Sequence, residues 1–125
     1  MGTEFGRFLK GKRQQKEITV RQLAELAGVS AGYYCDIESG RRNPPDKEIL
    51  NRIITSLCIT DYDITIFYDL AGQARSETPT DLSGYINQYE EVRVALRMAK
   101  DGGNPNVWNK FINYMELEKG DNKDD

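Results

Sequence analysis

The sequence predicts an all-α fold. Apolar residues recur at helical spacing, most clearly in residues 49–57, where isoleucines and leucines form a stripe typical of a buried helix face. Helix start and stop signals bracket another such run, because Thr19 and Gln22 form a capping box and Gly28 follows the last apolar residue. A chain of 125 residues that is 38% hydrophobic and 30% charged suits one small helical domain with at most an appendage.

Residues 19–40 predict two short helices joined by a tight turn. The first begins at Thr19 and ends at Gly28, since glycine adopts a positive φ at little cost. Ser30 is placed to cap a second helix, which Gly40 ends. Two helices arranged in this way form a helix-turn-helix, whose second helix can enter the major groove of DNA.

This stretch also resembles a known family. The segment ITVRQLAELAGVSAGYYCDIESGRRNPP is similar to the Cro/C1-type (XRE-type) helix-turn-helix domains of bacterial and phage repressors. The shared pattern is Leu-Ala near the start, Gly-Val-Ser at the turn, Ile-Glu-x-Gly at the end of the second helix, and then a basic pair and proline. The resemblance covers residues 3–72 and implies a five-helix, lambda-repressor-like DNA-binding bundle with a small C-terminal helical extension.

Two further segments supply the first and the last helix of the predicted five-helix bundle. Residues 3–16 predict a first helix with an apolar face. Residues 61–71 are ambiguous, because their β-branched and aromatic residues favour a strand. The resemblance and the lack of a partner strand favour instead a fifth helix, with Ile64, Phe67 and Leu70 buried.

The C-terminal part is predicted to be a separate helical region. Residues 73–79 are polar, contain a proline and indicate a linker. Residues 80–118 predict further helices, similar to a tail seen on some such regulators of Gram-positive bacteria, and residues 119–125 predict a disordered tail. The apolar faces of this region either close over the DNA-binding domain or pair with a second chain, and the sequence leaves both open.

The composition argues against an enzyme, a metal site and a membrane protein. The chain has no histidine, which removes the commonest general base and zinc ligand, and no Gly-rich phosphate loop or cofactor motif is present. Cys35 and Cys58 have neither metal nor redox spacing, so we expect two reduced thiols. Without a long apolar run or a secretory signal, we expect a cytoplasmic protein.

The net charge of −3 is unevenly distributed. Residues 1–45 hold eight Lys/Arg and five Asp/Glu, a balance of +3, whereas residues 46–125 hold nine and fifteen, a balance of −6. The basic part coincides with the helix-turn-helix, as electrostatic steering toward phosphates requires.

The register of the motif assigns the outward positions of the second helix to base readout and turns Tyr34 and Ile37 inward. The candidates for base readout are Ala31, Gly32, Tyr33 and Asp36. None is a Gln, Asn, Arg or Lys, the residues that make the common bidentate contacts to adenine or guanine. Asp36 either accepts a hydrogen bond from a cytosine amino group or forms a local salt bridge to Arg41 or Arg42, and both interpretations stay open.

The flanks of the motif are predicted to contact phosphates. The N-terminus of the first motif helix favours an anion, and the basic residues after the second helix suit the other side of the groove. The candidate phosphate contacts are Thr19, Arg21, Ser30, Arg41, Arg42, Asn43 and Arg13. The resemblance further implies a structural ion pair between Arg13 and the glutamate of Ile-Glu-x-Gly, Glu38.

The resemblance therefore implies a sequence-specific transcriptional regulator, a repressor that binds double-stranded DNA as a homodimer on a two-fold operator. Two alternatives remain. One is a protein-interaction module that kept the fold, which the unusual readers and the acidic overall charge support. The other is an antitoxin that binds DNA and also a protein partner through its C-terminal helices.

Overall fold

The computed structural model describes residues 2–123, and within that range the chain is helical without β-strands. The predicted all-α fold is thus confirmed. The helices are α1 (Glu4–Gln15), α2 (Val20–Ala27), α3 (Ala31–Ser39), α4 (Lys47–Leu57), α5 (Tyr62–Arg75), α6 (Thr80–Gln88), α7 (Glu90–Gly102) and α8 (Asn106–Lys123). They fall into two compact units, Met1–Gly84 and Tyr85–Asp125. None of the described helices is long and apolar enough to span a membrane.

The first unit is a five-helix bundle around one apolar core. Helix α1 packs against α3 and α5, while α2 packs against α3 and α4. The ring of Phe67 lies edge-on to Phe5, with ring centroids 5.3 Å apart, and edge-on to Tyr68 at 5.5 Å. The buried apolar residues are Phe5, Leu9, Leu23, Ala24, Ala27, Tyr34, Ile37, Leu50, Ile53, Leu57, Ile59, Phe67, Tyr68 and Ala71. This core fixes α2 and α3 while leaving their outer faces free.

Helix α5 resolves the ambiguity at residues 61–71 in favour of a helix. Its aromatic and β-branched residues pack into the bundle core, so tertiary burial outweighs their strand propensity. Phe67 is buried as predicted, whereas Ile64 and Leu70 are only partly buried. Ile64 and Leu70 contact the edge of the core rather than its centre.

The bundle extends further than its predicted end at residue 72. Helix α5 continues to Arg75, so the segment predicted as a linker over 73–79 begins as helix. Arg75 Nη1 donates hydrogen bonds to the carbonyl oxygens of Pro44 and Pro45, each at 3.3 Å. These bonds tie the end of α5 to the loop before α4, which explains why the helix persists.

The C-terminal unit is also more helical than the sequence predicts. Helix α8 continues to Lys123, where the sequence predicts a disordered tail over 119–125. Strong helix formers precede this end, and Gly120 alone costs only about 1 kcal/mol relative to alanine. Residues 124–125 of the predicted tail lie outside the described residues.

Candidate DNA interface

Local hydrogen bonds and one glycine define the start of α2 and the turn that joins it to α3. The backbone N–H of Gln22 donates to Thr19 Oγ1 at 3.1 Å, and the N–H of Thr19 donates to Gln22 Oε1 at 2.8 Å. This is the predicted capping box. Gly28 then ends α2 with a φ of 73°, a left-handed conformation that glycine adopts without strain. Ser30 Oγ accepts from the N–H of Tyr33 at 3.1 Å and starts α3.

Helix α3 is held by its inner face and by α1. Tyr34 and Ile37 are fully buried, as the register predicts. On the neighbouring side, the backbone of α1 lies close to α3 at Gly6. A methyl group at Gly6 would overlap the backbone carbonyl oxygen of Glu38 and lie 2.9 Å from its carbonyl carbon. The position of α3 therefore depends on the absence of a side chain at Gly6.

An ion pair joins the same two helices. Arg13 donates from Nε to Glu38 Oε2 at 3.1 Å and from Nη2 to Glu38 Oε1 at 2.8 Å, while Nη1 donates to the carbonyl oxygen of Ile18 at 3.0 Å. The two charged side chains are only 13% and 10% exposed. The hydrogen bond to Glu38 raises the pKa of Arg13 above its usual value. Burial raises the pKa of the nearby Tyr34 hydroxyl, so that group is neutral at physiological pH.

This geometry gives Arg13 a structural role. All three of its guanidinium nitrogens donate within the protein, which leaves little of the group to reach a phosphate. The sequence predicts Arg13 both as the partner of Glu38 and as a phosphate contact. The structure contains the first interaction and gives no support to the second.

Glu38→Ala is expected to lower the free energy of unfolding by about 2–4 kcal/mol, because Arg13 would remain largely buried without its partner. The measurement is equilibrium denaturation in urea followed by circular dichroism. Glu38→Gln is the control, since it keeps one acceptor for Arg13 and should cost less. Equal midpoints for wild type and Glu38→Ala would show that the pair contributes nothing to stability.

The outer face of α3 is exposed along its first turn. Ala31 and Gly32 are exposed, and a Cβ added at Gly32 would meet no atom within 4 Å. Tyr33 and Asp36 are partly exposed one turn apart. Ala31 and Gly32 therefore lie on the side of α3 that the bundle leaves uncovered, whereas Asp36 is partly exposed and Tyr33 packs in part against the core.

Two arginines after α3 contact this face. The Arg42 guanidinium carbon lies 4.9 Å from the centroid of the Tyr33 ring, a cation–π arrangement. Arg41 Nε lies 3.1 Å from Ser39 Oγ and 4.0 Å from Asp36 Oδ1. Because Arg41 is well exposed, Asp36 is partly exposed and the two groups are 4.0 Å apart, their pairing is worth about 0–1 kcal/mol and leaves Asp36 available to another partner.

The remaining predicted phosphate contacts are exposed on two flanks of α3. Those at the start of α2 sit beside backbone N–H groups that have no acceptor within the helix. The hydroxyl oxygens of Thr19 and Ser30 accept capping hydrogen bonds and keep their own protons free to donate. The exposed members of the predicted set are Thr19, Arg21, Ser30, Arg41, Arg42 and Asn43.

Sequence patterns did not indicate two contacts that shape this region. One is the stacking of Arg42 on Tyr33, which depends on the conformation of the loop after Gly40. The other is a salt bridge of 2.5 Å between Lys12 Nζ and Asp63 Oδ2, which joins α1 to α5. A separation of 51 residues leaves no local signal for such a pair.

Comparisons with known proteins support this assignment of the region. Residues 4–62 match a family model described as a helix-turn-helix domain. The HTH-type transcriptional repressor RghR of Bacillus subtilis is 36% identical over 55 residues, which make up 44% of this chain and 41% of that protein. The transcriptional regulator ClgR of Mycobacterium tuberculosis is 40% identical over 52 residues, which make up 42% of this chain and 46% of that protein.

The similarity to these two relatives covers less than half of this chain. The chain spans less than half the length of these curated relatives. No solved structure matches the chain. Residues 4–62 therefore form a helix-turn-helix domain similar to those of transcriptional regulators.

Proposed function

We propose that this protein is a sequence-specific transcriptional repressor that binds a two-fold operator as a homodimer. The observation that carries the proposal is the uncovered outer face of α3, bordered by Arg41 and Arg42 and by the N-terminus of α2. A helix presented in this way fits the major groove, while its flanks fit the phosphates on either side.

Base readout is assigned to the first half of α3. The small residues Ala31 and Gly32 let the helix backbone approach the base edges closely, and the Ala31 methyl suits contact with a thymine methyl. The Tyr33 ring is oriented by Arg42 and offers both a stacking face and a hydroxyl. Asp36 can accept a hydrogen bond from a cytosine amino group.

Phosphate binding is assigned to the exposed basic and hydroxyl side chains on the two flanks. Their cationic charges attract the backbone, and the free amides at the start of α2 add a favourable dipole. These contacts set the register of the protein on the duplex and carry no sequence information of their own.

Separate arguments support repression and dimerisation. RghR, which is similar to part of this chain, is named a transcriptional repressor. A single helix-turn-helix module buries little DNA surface, and two modules on half-sites one helical turn apart bind far more tightly. A helix-turn-helix domain acts by binding DNA, and we propose no catalytic role for it.

A protein-interaction module is the second candidate. The reader face lacks Gln, Asn, Arg and Lys, and the chain as a whole carries a net charge of −3. In this interpretation the same fold would bind a protein rather than a duplex. Sequence selection separates the two candidates, because only a DNA reader enriches a motif.

The decisive experiment is selection of bound duplexes from a random pool at low and moderate salt. We expect a palindromic motif whose half-sites lie about one helical turn apart. Tyr33→Ala should change the preferred base at one position in each half-site and weaken the selected site at least about 30-fold, since each of the two lost base contacts is worth about 1–3 kcal/mol.

Tyr62→Ala is the matched control, because Tyr62 is an exposed tyrosine on α5, outside the reader face. It should leave the motif unchanged. Failure of the wild-type chain to enrich any sequence at low salt would contradict the proposed function. An unchanged motif for Tyr33→Ala would contradict only the role of that residue.

A further inference from the structure

We propose that the cleft between α7 and α8 binds a free amphiphile with a flexible apolar chain and an anionic head, of the class of medium-chain carboxylates. The proposal goes beyond DNA binding, because it assigns a ligand to the C-terminal unit. Both helices that border the cleft belong to that unit, so the evidence does not depend on the DNA-binding bundle.

The cleft has the size and the lining of a small-molecule site. Its volume is about 560 Å³, within the roughly 300–1,000 Å³ of typical ligand pockets. Such pockets are lined mainly by apolar side chains, with a few polar groups that orient the ligand. The apolar walls are formed by Ala95, Met98 and Ala99 of α7 and by Val107, Trp108 and Phe111 of α8.

These walls suit a flexible alkyl chain better than a flat ring. The ring of Trp108 lies edge-on to that of Phe111, with centroids 6.3 Å apart and planes at 84°. Two nearly perpendicular rings leave no parallel gap in which a flat aromatic ligand could stack. On α7, the thioether of Met98 adapts readily to an irregular partner. A flexible chain can follow such walls, and each methylene that it buries adds hydrophobic stabilisation.

The polar groups of the cleft are hydrogen-bond donors and fix the sign of the head group. Among the described residues that line the cleft, Lys110 is the only charged one, and it forms no salt bridge within the described part of the chain. Asn104 Oδ1 already accepts from the N–H of Asn106 at 3.0 Å, so the amide N–H groups of Asn104 remain to donate. A carboxylate accepts from both an ammonium and an amide group, which makes an anionic head the complement of this cleft.

A neighbouring hollow on α8 is less suited to an anion. It adjoins the cleft, because Phe111 lines both, and it continues along α8 past Met115. The charged residues that line it are Glu116, Glu118 and Lys119. The two carboxylates would repel an anionic head, so we expect that head beside Lys110.

The test is equilibrium dialysis of the full chain against decanoate below its micelle-forming concentration, with decanol as a neutral probe of equal chain length. We expect saturable binding of decanoate at one site. Trp108 is the single tryptophan of the chain, so a change in its fluorescence on binding places the ligand at the cleft. Lys110→Gln should weaken decanoate binding about 10-fold and decanol binding less than about 2-fold, because only the carboxylate loses a charge-assisted hydrogen bond.

A second variant tests the apolar wall. Met98→Glu should weaken binding of both probes at least about 10-fold, because it places an unpaired charge against the alkyl chain. Leu96→Glu is its matched control, since Leu96 is also exposed on α7 but does not line the cleft. Lys100→Gln is the matched control for Lys110→Gln, because Lys100 is an exposed lysine of α7 outside the cleft. Both controls should bind decanoate as the wild type does, and circular dichroism verifies that every variant keeps its helices.

Absence of saturable decanoate binding by the wild type would overturn the proposal. Equal losses in the cleft variants and in their controls would also overturn it, because the ligand would then bind elsewhere. Trp108 fluorescence that changes with protein concentration but not with decanoate would show instead that a second copy covers the cleft. Binding to phosphatidylglycerol vesicles without binding of free decanoate would show that the partner is a membrane surface rather than a free amphiphile.

Discussion

Gly6→Ala is expected to destabilise the DNA-binding bundle by about 3 kcal/mol or more. The added methyl would overlap a backbone carbonyl oxygen of α3 rather than the end of a flexible side chain, so α1 and α3 must separate to admit it. Since 1 kcal/mol shifts the melting temperature of a domain of this size by about 4–8 °C, Tm should fall by at least about 12 °C. Thermal denaturation followed by circular dichroism measures the shift.

Gly11→Ala is the control for this prediction. Gly11 lies in the same helix, and a Cβ at that position would meet no atom within 4 Å. Alanine there should stabilise α1 by about 0.5–1 kcal/mol through helix propensity alone. If the two alanine variants had the same Tm, the close packing of α1 on α3 at Gly6 would be refuted.

Gly6→Ala should also weaken DNA binding, because it displaces the helix that is expected to enter the major groove. Separating α1 from α3 also strains the Arg13–Glu38 pair, which joins the same two helices. A Gly6→Ala protein that remains folded at low temperature should therefore bind DNA more weakly than its folded fraction accounts for.

The features that the sequence predicts well are local ones. The capping box of Thr19 and Gln22 involves residues three apart, and the left-handed glycines Gly28 and Gly40 directly follow the helices that they end. Such signals do not depend on the rest of the chain. The inward orientation of Tyr34 and Ile37 followed from the register of α3 in the same way.

The features that the sequence does not predict depend on contacts between distant segments. Nothing around Gly6 indicates that a carbonyl oxygen of α3 lies against it. The extension of α5 to Arg75 depends on carbonyl oxygens of Pro44 and Pro45, about thirty residues earlier. The stacking of Arg42 on Tyr33 likewise needs the loop after α3 to fold back over that helix.

The same distinction applies to the candidate site. Its residues were identifiable from the motif register, but their interactions were not. Asp36 could have been a reader or a partner of Arg41, and the observed 4.0 Å separation makes it a weak partner. Arg42 appeared as one more phosphate contact, whereas its position over Tyr33 also connects it to base readout.

Removing both arginines after α3, in the variant Arg41→Ala plus Arg42→Ala, should weaken operator binding by the dimer about 100-fold near physiological salt. Two lost phosphate contacts in each chain release fewer counterions, so the slope of log K against log salt should become shallower by roughly 3–4. Fluorescence anisotropy across a salt series measures both quantities. The matched control is Arg97→Ala plus Lys100→Ala, which removes two exposed charges from α7 and should leave the slope close to that of the wild type.

The two single variants should distinguish phosphate binding from support of base readout. Arg41→Ala should reduce affinity for all sequences alike, because its expected partner is a phosphate. Arg42→Ala should reduce affinity and also relax the base preference that Tyr33 establishes, because the ring would lose the guanidinium stacked on it. If the double variant kept the wild-type salt slope, the segment after α3 would not contact the DNA backbone, and the placement of α3 in the major groove would be wrong.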